Sequence, residues 1–466
     1  MAQKPAKTSG GREHFASRMG FILASVGCAV GLGNVWKFPY ITGQYGGAAF
    51  VVIYLICLVL LGLPIMVMEF SLGRGSQKSI AGLFEELQPK GAHWNWFKWV
   101  AIAGNYLLMM FYAMVAGWLV NYFFKTVTGQ LEGITAEQSI AITGEMMSSP
   151  FEMVIWLVVV WAIGLTVCSF GVRRGVERAS KIFMIGLMIL IVVLAIRCCT
   201  LPGAEAGLEF YLKPDFGALF SSISSFGEAA NAALGHSFFT LSVGIGSMAI
   251  FGSYLSRSRR LMGEGISVAA LDTLIALSAG LIIFASCFAY GVNPDAGPTL
   301  VLQTLPCVFA QMELGRLWGS LFFLLMSFAA LSTVVAVYEN IICFGMDEWG
   351  WSRRKSICIN GPLVLVLSIP AALGFNVWAD VQFGMFGSIM DLEDFLVSNN
   401  ILPIGSLIFV LFCTWKNGWG WENFLAEADQ GQGPRFPRFM YGWLKFGAPV
   451  LIILILVLGW IPKFVS

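Results

Sequence analysis

Eleven runs of about twenty mostly apolar residues recur along this chain, and each is long enough to cross a hydrocarbon core of roughly 30 Å as a helix. Their limits are 20–42, 48–71, 99–124, 151–170, 181–199, 232–255, 265–291, 315–344, 356–374, 395–414 and 441–461. Lipid offers backbone N–H and C=O groups no partner, so runs of this length must pair those groups internally, as helices do. With 57% hydrophobic and only 12% charged residues among 466, an ordinary soluble protein is excluded. The expected fold class is an all-α polytopic membrane protein.

Charge asymmetry orients the spans. Lys and Arg collect in alternate connections, including Lys4, Lys7, Arg12 and Arg18, then Arg74 and Lys78, Arg173 and Arg174, Arg257 to Arg260, Arg353 to Lys355, and Lys416 to Arg438. The intervening connections hold acids such as Glu132, Glu145, Glu205, Asp215, Asp295, Asp380 and Asp391. Cytoplasmic loops are the basic ones, so the N-terminus is expected inside and the tail after Lys463 outside, in a multi-pass plasma (inner) membrane protein. No cleavable signal peptide is expected, because a polar, basic leader precedes a long first run. The net charge of +1 gives no reason to expect a nucleic-acid partner; the partner is the lipid bilayer. The ten cysteines lack metal-ligand spacing and read as small apolar packing residues, with Cys198-Cys199 left open.

The first run carries a break. Gly27, Gly31 and Gly33 fall within seven residues, and each weakens a helix by roughly 0.8–1 kcal/mol relative to alanine. Unpaired carbonyls at membrane depth persist only inside protein or beside a wet cavity, where they suit a hard cation. The sixth run repeats the pattern with Thr240, Ser242, Gly244 and Gly246. Interrupted helices at matching places of two halves point to a transporter built from inverted repeats around a midplane site; the alternative is that these glycines only allow close helix packing. The organisation expected is a segment 1–19, a first repeat 20–199, an outer loop 200–231, a second repeat 232–414, a flexible cytoplasmic connection 415–440, and a last span with its tail at 441–466. A partly helical hairpin around 293–306 is expected to cap an outward cavity.

The segments Arg12 to His14, Ala29 to Tyr40, Gly46 to Phe50 and Pro64 to Glu69 resemble the neurotransmitter:sodium symporter family, and the likeness covers nearly the whole chain. The resemblance implies the LeuT fold, with 5+5 inverted repeats, broken helices one and six, and an eleventh helix. It implies two sodium (Na+) sites. The first comprises the Ala29 carbonyl, Asn34, Thr240 and Asp272; the second comprises carbonyls of Gly27, Val30 and Ala329 with the hydroxyls of Ser332 and Thr333. All are hard oxygens, as an alkali cation wants. For the two hydroxyls, back-bonding to a carbonyl one turn earlier is the competing reading.

By the same resemblance, the substrate pocket is lined by Cys28, Ala29, Leu32, Gly33, Leu108, Tyr112, Phe239, Thr240, Ser242, Ile245, Thr333 and Val337. Monoamine-carrying relatives place an aspartate where this chain has Gly31, so an amino acid that brings its own carboxylate is implied, with an apolar side chain. Asp272 and Ala276 stand where chloride-dependent relatives have asparagine and serine. A fixed carboxylate there implies chloride-independent transport, with Asp272 protonation a route to proton counter-transport. His236 has two readings, as a proton-sharing partner of Asp272 or as a neutral ring satisfied by a neighbouring oxygen. Glu69 is implied to hold backbone amides at a broken helix. Gates are implied at Lys37 with Asp394, assisted by Tyr112 over Phe239, and at Arg12 with Asp347; solvated interfacial charge is the other reading of Asp394. The function implied is sodium-coupled amino-acid symport, the alternative being a substrate-sensing receptor or uncoupled channel on the same fold. No nucleophile–base pair or phosphate loop suggests an enzyme.

Overall fold

A computed structural model describes residues 14–219, 223–292 and 300–465. Among these the chain is helical, with a single isolated bridge between Arg259 and Gln432 and no strand. Nine helices are long and apolar enough to cross a membrane among the described residues, and the pair Arg18–Ala29 and Gly33–Gln44, bent by 53°, makes a tenth. The sixth expected run is the divided helix Ile223–Thr240 and Ser247–Ser253. All eleven runs are therefore helical, two of them broken.

Burial sorts the helices into centre and rim. The apolar windows of Trp94–Val127 and Gly315–Trp349 are each 78% buried, whereas those of Pro150–Ser169, Val172–Cys199 and Met440–Trp460 are 28% buried and turn most of their surface outward. The two central helices pack on each other, and Arg18–Ala29 packs against Gly315–Trp349, Val172–Cys199 and Leu261–Ala289. The first break thus faces the middle of the bundle. Ser247–Ser253, the second half of the sixth run, lies on Ala48–Ser76.

Two connections differ from expectation. The sixth-run helix starts at Ile223, inside the stretch 200–231 read as loop, and Ala204–Leu212 is itself helical, with Tyr211 donating to the Leu277 carbonyl at 3.1 Å. The connection 415–440 is ordered. Its helix Trp421–Ala428 buries Trp421 and Phe424 against Phe436, with the two phenylalanine rings 4.9 Å apart, and Glu427 pairs with the buried Arg74 at 2.7 Å. Three aromatics and an ion pair outweigh the flexibility that Gly418, Gly420, Gly431 and Gly433 suggest. Residues 293–299 of the expected hairpin lie outside the described residues; the part that follows contains Leu305–Gln311 as helix.

Candidate functional site

The first half-helix ends where Val30 turns extended, at φ −69° and ψ 106°. Two backbone bonds are redirected there. The Gly31 amide donates to Asn34 Oδ1 at 3.2 Å, and the Asn34 amide donates to the Gly31 carbonyl at 3.2 Å. In a continuous helix those amides would serve the carbonyls of Gly27 and Val30. Both carbonyls instead accept from the hydroxyl of Thr333, at 3.3 Å each, and that hydroxyl also lies 3.4 Å from the Ala329 carbonyl. Ser332 donates to Ala329 O at 2.8 Å, which is the back-bonded geometry. The five residues of the expected second cation set are thus together, with Thr333 at their centre. Helical structure resumes as a π-turn, closed by the Phe38 amide on the Gly33 carbonyl.

The sixth run breaks more sharply. Ser242 takes φ +50°, rare for a residue with a side chain, and Gly244 and Gly246 take φ +104° and +77°. A Cβ on Gly244 would run into the backbone of Leu402. The freed groups find partners: Glu69, fully buried, accepts from the amides of Gly244 at 2.5 Å and Met248 at 3.2 Å, while Asn105 donates to Ile245 O at 3.1 Å and Asn340 to Asn105 at 2.8 Å. Ser242 Oγ donates to Cys28 O at 2.9 Å and ties one break to the other.

Asp272 lies against this junction. It is fully buried, accepting from Asn34 Nδ2 at 2.8 Å and from Thr240 Oγ1 at 2.9 Å. Three of the four residues expected in the first cation set are therefore directly joined, and Ala29, the fourth, closes the first half-helix. A buried carboxylate surrounded by an amide and a hydroxyl, with a redirected backbone nearby, is an oxygen-rich set fit for a hard monovalent cation.

A cavity opens between the breaks. All of the expected lining residues border it except Thr240 and Val337, and Gly31 and Leu402 join them. Its enclosed space is about 20 Å³, room for roughly one water, so the walls are nearly in contact. The Leu32 amide donates to Tyr112 Oη at 3.1 Å, so two residues of the expected lining hold each other. A Cβ on Gly31 would strike Tyr112 Oη and come within 2.7 Å of Thr333 Oγ1. Phe239 stays partly exposed while Tyr112 is buried.

The remaining expected residues are placed as follows. Lys37 Nζ lies 3.9 Å from Asp394 Oδ2 and 4.5 Å from the Phe239 ring centroid; Asp394 also accepts from Ser398 at 2.6 Å. At the opposite end of the bundle Asp347 accepts from the Ser79 amide at 2.6 Å, and Arg12 lies outside the described residues. His236 is not joined to Asp272. It stacks on Phe38 at 5.6 Å and lies tilted against Tyr54 at 5.3 Å, and neither ring nitrogen has a hydrogen-bond partner among the described residues, so an oxygen-satisfied ring is not found either. The sequence reading missed the ion pairs at the Arg18 end: Arg353 with the buried Glu339 at 2.6 Å, Lys98 with Glu348 at 2.6 Å and Arg18 with Glu264 at 2.8 Å. Their partners lie far apart or across a turn in sequence, and only the fold brings them together.

Comparison with known proteins agrees with this architecture. The model of the sodium:neurotransmitter symporter family matches residues 12–143 and 134–464. An uncharacterized sodium-dependent transporter of Bacillus subtilis, YhdH, is 34% identical over 95% of this chain and 96% of its own length. One from Haemophilus influenzae is 31% identical over 96% of this chain and 98% of its own. The crystal structure of MhsT in complex with L-phenylalanine, 38% identical, superposes with a TM-score of 0.87 over 96% of this chain and 99% of MhsT. The paired breaks, the helical bundle around them and these likenesses lead to one assignment: the chain belongs to the sodium:neurotransmitter symporter family, membrane transporters of the LeuT fold that depend on sodium and are not enzymes.

Proposed function

We propose that the chain carries an apolar, zwitterionic amino acid into the cell together with sodium. The observation that supports this most is the cavity between the two breaks, which has no carboxylate in its lining and no room for one at Gly31. A ligand there must supply its own anionic group, which the amides of Leu32 and Gly33, the Tyr112 phenol and a neighbouring sodium would receive. Apolar walls at Leu108, Phe239, Ile245 and Leu402 favour an apolar side chain. MhsT, whose structure holds L-phenylalanine, supports the same substrate class.

Two sodium ions travel as co-substrates in this reading. One is held by Ala29, Asn34, Thr240 and Asp272 beside the substrate carboxylate, the other by Gly27, Val30, Ala329, Ser332 and Thr333. Entry displaces the Thr333 hydroxyl from its carbonyls, joining the first half-helix to Gly315–Trp349 through the ion. Asp272 supplies a fixed negative charge, so chloride is not required, and its protonation on the return step exports a proton. Alternating access follows when substrate and ions favour the closed arrangement of the Lys37–Asp394 end and release the Arg12–Asp347 end. In this reading the repeats are 20–199 and 232–414, and basic loops at the Arg18 end support a cytoplasmic location for that end and the N-terminus, with the last span ending outside the plasma membrane.

Uptake by proteoliposomes tests the reading, with labelled L-phenylalanine or L-leucine, an imposed sodium gradient, and gluconate in place of chloride. Accumulation that needs sodium and persists in gluconate is the expected result. Binding without accumulation would instead indicate a sensor, and flux that does not follow the sodium gradient an uncoupled channel.

A further inference from the structure

The helix Arg353–Leu373 carries Lys355, Ile359, Leu363 and Leu367 at every fourth position, and residues so spaced form one ridge along a helix surface. Beyond Lys355 this ridge borders a groove of about 310 Å³, whose other walls come from Phe97–Val127, Gly315–Trp349 and the connecting Trp351. The groove is almost wholly apolar. Two of its polar side chains serve each other, Tyr106 Oη donating to Asn360 Oδ1 at 2.8 Å, while Asn360 Nδ2 donates to Ser356 at 3.0 Å. Trp99, Trp349, Ile359 and Leu363 are each at least 40% exposed, so the groove opens on the outside of the bundle.

One end of the groove is charged. Lys355 Nζ lies 5.3 Å from the ring centroid of Trp351, and that ring lies 4.6 Å from Trp349. Two other cations at this end are already paired, Lys98 with Glu348 and Arg353 with Glu339, at 2.6 Å each. Arg354 and Lys355 are exposed, and neither has an ion-pair partner among the described residues. Tryptophans gather where a bilayer meets water, and Lys and Arg there attract anionic headgroups. From Lys355 to Leu367 the ridge rises about 18 Å, close to the ~15 Å of hydrocarbon in one leaflet. An acyl chain laid along the groove therefore brings its phosphate to Lys355 and Arg354. We propose that this groove is a binding site for one phospholipid of net negative charge, its chain against Trp99, Trp349 and Leu363 and its headgroup on Arg354 and Lys355. A zwitterionic lipid fills the same groove but carries a positive group of its own to the two cations, so the site selects by headgroup.

The probe is dioleoylphosphatidylglycerol, with dioleoylphosphatidylcholine as its zwitterionic counterpart of identical chains, titrated into the delipidated full chain in detergent and counted by native mass spectrometry. Sodium and amino acid are left out, which separates this test from that of the transport reading. One saturable phosphatidylglycerol, bound at least fivefold more tightly than phosphatidylcholine, is expected. Replacing both cations, Arg354→Gln with Lys355→Gln, should abolish that preference, whereas Lys355→Arg should keep it. Leu363→Trp, which narrows the groove and keeps both cations, should weaken both lipids at least fivefold. An unchanged melting temperature in lipid-free detergent certifies that the variants are folded, and the comparison of the two lipids on the unaltered chain requires no variant. Equal binding of the two lipids, an unchanged preference in the folded double variant, or binding untouched by Leu363→Trp would overturn the proposal. So would a dimer mass in place of bound lipid, which would give the groove to a second copy of the chain.

Discussion

The hydroxyl of Ser242 donates to the carbonyl of Cys28 across 2.9 Å, joining the two helix breaks by one direct bond. Ser242 reaches it only by holding φ at +50°, so the bond and the uncommon backbone come together. Ser242→Ala should weaken substrate affinity in uptake assays by roughly two- to tenfold, the loss of one neutral hydrogen bond of about 0.5–1.5 kcal/mol. Cys28→Ala keeps the accepting carbonyl and should leave the tie intact. Equal losses in both variants would mean that the side chains, not the tie, matter.

Thr333 and Ser332 adjoin in sequence but are bonded differently. Thr333 reaches Gly27 and Val30 on another helix, whereas Ser332 bonds back to Ala329 on its own. Thr333→Val preserves shape and removes the hydroxyl oxygen from the second cation set, at about 1.5–3 kcal/mol for a contact to a charged group. The half-saturating sodium concentration should therefore rise roughly tenfold or more in Thr333→Val and less in Ser332→Ala. The reverse order, measured by sodium titration of uptake, would move the centre of the site to Ser332.

Gly31 is a steric requirement. A single added carbon would strike Tyr112 Oη and crowd Thr333 Oγ1, touching the cavity and the second cation set at once. Gly31→Ala should fold, since its neighbours are side-chain ends that can shift, but should raise both the amino-acid KM and the half-saturating sodium concentration. A change in KM alone would separate the cavity from the cation set.

The first break was legible because glycine acts locally: Gly27, Gly31 and Gly33 weaken the same turns whose bonds are found redirected. The length of the apolar runs likewise revealed the eleven spans. Less legible was whatever depends on distant residues. Arg74 and Glu427 meet across most of the chain, and the glycines near Glu427 read as a linker because the burial of Trp421 and Phe424 is a tertiary fact. His236 suggested hydrogen bonding by its type, but Phe38 and Tyr54 surround it with rings.

Asp272 accepts from Asn34 through Oδ1 and from Thr240 through Oδ2; an asparagine there keeps the first contact through its oxygen and meets the Thr240 hydroxyl, now as acceptor, through its amide, while losing the charge. Asp272→Asn should lower uptake in gluconate by roughly tenfold, the scale of about 1.5 kcal/mol for a hydrogen bond to a charged group. Adding Ala276→Ser should let chloride restore it. A double variant indifferent to chloride would show that the carboxylate does more than supply charge.

Lys37 stands 3.9 Å from Asp394, a loose contact between two groups about one-third exposed, and its ammonium also lies over Phe239. A point charge tolerates that geometry; a guanidinium, planar and able to bind both carboxylate oxygens, favours a tighter closed form. For an exposed pair the gain is about 0.3–1 kcal/mol. Lys37→Arg should therefore slow turnover by roughly two- to fivefold with little change in sodium affinity, because opening this end becomes harder while the cation sets are untouched. Asp394→Asn should make turnover insensitive to the Lys37→Arg exchange. Pre-steady-state uptake on the four combinations of these two positions measures the coupling, and additive effects would remove Lys37 and Asp394 from a common gate.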